Sequence, residues 1–177
     1  MRVENISVSV RDRNLHFATT DDIRTQFTDR GQELEWLALF LTGDAELAPT
    51  CVKDACALAT SQNRVFRDWL ERWARRSTIT TAIEMQHSEI KQLAEYYEHK
   101  SCAHREHPFL TSDELKLLHA CADELDFKLD AVCRAALVLR GVERYCLSES
   151  ALLLGVRKAA VEAAYCSALS AVKALRC

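Results

Sequence analysis

Four glycines and two prolines in 177 residues leave this chain with almost nothing from which to build tight turns, and a many-stranded sheet needs such turns at short intervals. Hydrophobic residues make up 49% and charged residues 28%, a balance too apolar for a disordered polymer. The expected fold is therefore all-α. A chain of this length accommodates one ordinary domain or two small ones, and the helical pattern divides naturally into two small helical units. The formal net charge of -3 supplies no global basic field, so contact with nucleic acid has to come from a local patch. The opening MRVENISVSVRDRN lacks the apolar core of a signal peptide, and no apolar run approaches the roughly 20 residues that cross a bilayer. A cytoplasmic protein with no membrane partner is expected.

Residues 1–20 show no helical period and read as a flexible arm. From Asp21 the pattern turns helical, and Leu34, Leu37, Ala38 and Leu41 recur at three- and four-residue intervals, which places one apolar stripe against a core. Thr42, Gly43 and Asp44 end that helix and start the next, glycine suiting a left-handed C-terminal position and aspartate an N-cap. A second helix begins near Leu47, with Pro49 in its first turn, and carries Cys51, Val52, Ala55, Cys56 and Ala59. A third puts Val65, Phe66, Trp69, Leu70 and Trp73 on one face. Trp69 and Trp73 on that stripe read as core anchors rather than base-stacking platforms. Its other faces carry Arg64, Arg67, Arg72, Arg75 and Arg76 against only Asp68 and Glu71, which is either a solvated face or a phosphate-binding one.

These helices make an N-terminal unit over 21–87. Residues 88–110 read as the connection between the halves, although Ser88 to about Glu98 can continue as helix. Thr111 followed by Glu114 makes a capping box and opens a C-terminal unit over 111–177, with Leu115, Leu118 and Leu125 directed inward. Within the connection, His99, Cys102, His104 and His107 lie close together in HKSCAHREH. Imidazole and thiolate suit zinc or copper, but the spacing is not that of a standard finger, and exposed linker histidines are the simpler expectation, so no metal is assigned. Cys51, Cys56, Cys121, Cys133, Cys146 and Cys166 are scattered without CxxC pairs and are expected as reduced thiols filling small apolar positions. No serine elbow, glycine-rich phosphate loop or paired carboxylates stand out. Neither an enzyme nor a cofactor is expected.

In the last third, Val132, Ala135, Ala136 and Leu139 describe a supporting helix that Gly141 breaks. Ser148 to Leu154 gives a short second helix, Gly155 a turn, and Val161, Ala164, Tyr165, Ala168, Leu169 and Val172 a third. This is the spacing of a helix-turn-helix, in which the last helix enters a major groove. The wording LVLRGVERYCLSESALLLGVRKAAVEAAYCSAL resembles the C-terminal domain of bacterial RNA polymerase sigma factors of the extracytoplasmic-function type, with its VLR-x-VE-G, EEIAEILG and GTVKSRLHRAL-like segments. Val138, Leu139, Arg140, Val142, Glu143, Ala151, Leu154, Gly155 and Val161 take the matching framework positions without a gap. LEWLALFLTGDAELA and FRDWLERWARR resemble the opening and the FRAWLYRIARN helix of the family's N-terminal domain, so the resemblance spans about Phe27 to Leu175.

The resemblance implies a two-domain transcription initiation protein that binds the RNA polymerase core and promoter DNA, and that an anti-sigma factor can hold in check. Val52, Lys53 and Asp54 take the polymerase-binding position. Arg72, Arg75 and Arg76 face the melted promoter element, while Arg157, Lys158 and Lys173 serve the distal one. Where the family carries lysine, serine, arginine, histidine and arginine on its recognition helix, this chain has Glu162, Ala163, Ala164, Cys166 and Ser167. A DRLRR-like run is replaced by Thr80, Thr81, Ala82, Ile83 and Glu84. These replacements motivate an alternative expectation, a sigma-fold regulator that works by binding protein without reading DNA sequence.

Overall fold

A computed structural model describes residues 16–61, 65–100, 109–120 and 128–174. Nearly all of them are helical, and the described residues contain no β-strand, only an isolated antiparallel bridge between Phe17 and Phe66. The elements are α1 (Thr20–Asp29), α2 (Gly31–Thr42), α3 (Leu47–Ser61), a 3-10 turn (Arg67–Trp69), α4 (Leu70–Met85) and α5 (His87–Glu98). Then follow α6 (Ser112–Ala120), α7 (Ala131–Ala136) continued by a π-helical turn (Leu137–Val142), α8 (Leu147–Leu154) and α9 (Lys158–Ala174). Most of the arm expected over 1–20 lies outside the described residues.

Local chemistry sets the helix ends. Thr19 and Asp22 form a reciprocal capping box at α1, Thr111 and Glu114 a second one at α6, and Asp44 Oδ1 accepts from the amides of Glu46 and Leu47 at the start of α3. Each satisfies amides that a helix N-terminus leaves without partners. Gly43 and Gly155 end α2 and α8 in the left-handed conformation, with φ of 66° and 64°, as their places in the sequence imply. Gly141 acts differently. It does not break the helix but sits inside the π-helical turn, where a Cβ would come within 2.8 Å of the Leu110 side chain, so the residue is small because a neighbour needs the space.

Helices α1 to α4 pack on one another, α3 against α4 most extensively. Ile23, Phe27, Leu34, Ala55, Ala59 and Ala74 form a small core there. A larger core runs from Leu37, Phe40 and Leu41 on α2, through Ile79 and Ile83 on α4, to Leu139, Leu154, Val161 and Leu169. Residues 88–98, placed by the sequence in the connecting segment, belong to α5, whose Ile90, Ala94 and Tyr97 join this larger core. Helix α5 packs against α9 and α7. At their meeting point the Tyr97 hydroxyl donates to Asp130 Oδ2 (2.7 Å) and accepts from the Cys133 thiol (3.0 Å). Burial pushes the Cys133 thiol up to about 12 and raises the Tyr97 hydroxyl as well, which keeps both protonated and donating.

A polar junction joins the last turn of α2 to α7. Buried Arg134 donates to the carbonyls of Leu129 (2.7 Å) and Thr42 (3.3 Å), and the Gln86 amide donates to the same Thr42 carbonyl (3.1 Å). A Cβ on Gly43 would lie 2.7 Å from the Arg134 guanidinium, whereas one on Gly155 would meet nothing closer than 3.8 Å. Both glycines have positive φ, so both lose stability on becoming alanine. Gly43→Ala is expected to cost about 3 kcal/mol and Gly155→Ala about 1 kcal/mol, measured as the difference in urea-unfolding free energy. Equal costs would show that Arg134 does not pack against Gly43.

Candidate nucleic-acid interface

The arginine-bearing helix differs from its sequence expectation in phase. Val65 and Phe66 are not helical, and Arg67–Trp69 form a 3-10 turn before α4 begins at Leu70. A 3-10 turn advances the chain by three residues per revolution instead of 3.6, which rotates Trp69 off the apolar stripe. Trp69 is 61% exposed and Phe66 45% exposed, so Trp69 is not the core anchor that its spacing suggests. Trp73 lies deeper, its indole N–H donating to the Ala59 carbonyl (3.4 Å). Phe66 stacks on Phe17 with ring centroids 4.7 Å apart and meets the edge of Trp69 at 5.8 Å.

Phe66, Trp69 and Trp73 wall a groove of about 710 Å³ together with Val65, Arg72, Arg76 and Tyr145. Arg72 and Arg76 are exposed on its rim. Aromatic faces beside guanidinium groups are what an unstacked nucleotide strand requires: the rings take bases without regard to identity, and the cations take phosphates. The sequence signal for this groove was the interleaving of aromatics and arginines in FRDWLERWARR. Tyr145 had no such signal, because it reaches the groove from the other end of the chain.

Arg75 does not share that setting. Its side chain is only 18% exposed and bonds to Glu33 on α2 and to Glu143 just beyond the π-helical turn, its Nε donating to Glu143 Oε1 at 3.0 Å. Burial alone would lower its pKa, but the Glu143 and Glu33 carboxylates outweigh that and hold the guanidinium more firmly protonated. Arg30 extends the network, pairing with Glu33 (3.3 Å) and Glu71 (3.2 Å). In this conformation Arg75 ties the structure together and is not available to phosphate.

The C-terminal cations are spread apart. Arg157 pairs with Glu98 of α5 at 3.0 Å, and Lys158 and Lys173 are exposed at opposite ends of α9, roughly 22 Å apart at the helical rise. Between them Ala163 and Ala164 are buried, at 5% and 0% exposure, and Glu162, Cys166 and Ser167 are half-buried. On α3, Val52 is half-buried while Lys53 and Asp54 are exposed. Val52 and Lys53 border a shallow groove with Arg24, Phe27, Pro49 and Cys56, and Asp54 borders another with Leu58, Thr81, Glu84 and Met85.

Of the histidine–cysteine cluster, His99 is exposed, and Cys102, His104 and His107 lie outside the described residues. Cys51, Cys56, Cys133 and Cys146 are free thiols, as their scatter suggests, but Cys166 is disulfide-bonded, contrary to the expectation of a reduced thiol. Burial pushes Cys51 up to about 12, leaving it a poor nucleophile. No family model, curated protein or solved structure matches the chain.

The contrast between neighbouring arginines is measurable. Arg75→Ala leaves Glu33 and Glu143 without their shared cation and is expected to cost about 2 kcal/mol, less than a fully buried pair because Glu33 stays partly in water. Arg72→Ala, on the exposed rim, should stay within about 0.5 kcal/mol of wild type. Urea unfolding of the two variants checks this, and equal losses would refute the division of roles.

Proposed function

We propose that this chain is a sigma-like transcription-regulation protein that associates with the RNA polymerase core and takes unpaired promoter bases into the groove of Phe66, Trp69, Trp73, Arg72, Arg76 and Tyr145. The observation that carries the reading is the exposed aromatic pair, Phe66 and Trp69, set beside two solvent-facing arginines. Single-stranded nucleic acid fits better than duplex, because stacking needs bases that have left a helix. The sequence resemblance over both halves supports the two-domain, sigma-like assignment. It also supports assigning Val52, Lys53 and Asp54 to polymerase, and Lys53 and Asp54 face solvent as that role requires.

A second reading, a regulator that holds an anti-sigma factor or polymerase without reading DNA sequence, draws on a different observation. The α9 positions that carry cations in the family are here buried or half-buried under neighbouring helices, and Arg157, just ahead of α9, is exposed and pairs with Glu98. Duplex reading through α9 therefore forms no part of the primary reading. Arg157, Lys158 and Lys173 are left to contribute general phosphate attraction.

Tryptophan emission separates the two. Titration with a short single-stranded oligothymidine should quench the emission, with affinity falling steeply as salt rises. Trp69→Ala should weaken binding by about tenfold or more. The same sequence as duplex should bind more weakly, and polyglutamate should not compete. Failure to bind the single strand, with polymerase subunits still recovered by co-purification from the host, would favour the protein-binding reading. Competition by polyglutamate would make the groove a site for acidic peptide.

A further inference from the structure

Two uncommon backbone features occur within eight residues of each other. Leu137–Val142 is a π-helical turn, and Arg144, at φ 58°, is the only non-glycine residue with positive φ among those described. Side chains with a Cβ rarely adopt that conformation, and π-helical insertions concentrate at functional positions. Hydrogen bonds hold the distortion in place: the Glu143 amide donates to the Val138 carbonyl (2.9 Å) and the Tyr145 amide to the Leu139 carbonyl (2.8 Å). Arg140 donates to the Tyr145 carbonyl at 2.6 Å, so the backbone of Tyr145 is fixed on both sides.

The segment faces α4. Glu143 bonds to Arg75, the residue just before Arg76 and three after Arg72. Two residues beyond Glu143, Tyr145 supplies a wall of the groove. Every other lining residue lies between Val65 and Arg76, so Tyr145 alone comes from the C-terminal half of the chain. Without the π-helical turn the chain would be one residue out of register, and the carboxylate and the ring would not face α4 in the same way.

We infer that the groove is a composite nucleotide site: the N-terminal half supplies Trp69, Arg72 and Arg76, and the distorted 137–145 segment positions Tyr145 as a second aromatic face for the same unpaired strand. This rests on the reading of the groove given above, and it adds that strand binding requires the two halves of the chain to be docked. The Arg75–Glu143 pair and the strained Arg144 backbone then serve to aim Tyr145. Tyr145 is half-buried, so its ring is partly held by protein and partly open to a ligand.

The test uses the full chain and a fluorescein-labelled single-stranded oligothymidine, read by anisotropy, with Tyr145→Phe, Tyr145→Leu and Trp69→Ala variants. Phenylalanine keeps the aromatic face and should bind within about twofold of wild type. Leucine keeps apolar bulk without that face and should bind about tenfold more weakly, with an unchanged urea midpoint. If Tyr145→Leu binds like wild type while Trp69→Ala is weakened, the composite wall is refuted and the groove reading survives. If wild type does not bind, or Trp69→Ala is unaffected, the groove reading fails and this inference fails with it. Equal loss in the phenylalanine and leucine variants would assign Tyr145 a hydroxyl-dependent packing role and also overturn the proposal.

Discussion

Helix α9 is the centre of the C-terminal packing, which leaves only part of its surface to solvent. It packs against α5, α7 and α8, and Ala160, Val161, Ala163, Ala164, Tyr165, Ala168, Leu169 and Val172 are all removed from water. Four of these eight are alanines, small enough to let neighbouring helices approach closely. A lysine or arginine in their place would bury a charge without a partner, at a cost of several kcal/mol. At Ala163 and Ala164 packing alone therefore excludes a cation.

Two polar ties hold the rest of the chain around that centre. Arg134 reaches from α7 to the Thr42 carbonyl at the end of α2, and Arg75 gathers carboxylates from α2 and from the segment after the π-helical turn. Each arginine is largely buried, so each is costly unless its partners are held in place. Their geometry thus constrains how α2 and α4 lie against the C-terminal helices. In the proposed reading that constraint does functional work, because it brings Tyr145 to the rim where Trp69, Arg72 and Arg76 wait. The same reading puts nucleic-acid contact on a surface where exposed aromatics and arginines cost little.

Much of the helical layout was legible because it depends on local chemistry. The stripe of Leu34, Leu37, Ala38 and Leu41, the stop at Gly43, the cap at Asp44, the box at Thr111 and the turn at Gly155 all appear where short-range patterns put them. The candidate site was half legible. Charge singles out Arg72 and Arg76, but a uniform 3.6-residue period points Trp69 inward through what is a 3-10 turn. Sequence alone groups Arg75 with its neighbours, because its partners, Glu33 and Glu143, are distant along the chain. The π-helical turn left no local mark, since Gly141 also reads as an ordinary helix stop, and its placement depends on Leu110 packing against it. Features fixed by one helix could be read directly; those fixed by contacts between helices could not.

The central claim is that nucleic acid meets the α4 groove and not α9. Photocrosslinking of the full protein to a single-stranded oligonucleotide carrying 4-thiothymidine, followed by peptide mapping, tests it most directly. Crosslinks are expected in the stretch from Val65 to Arg76 and at Tyr145, with none between Lys158 and Ala174. Crosslinks concentrated on α9, with the groove unlabelled, would contradict the account.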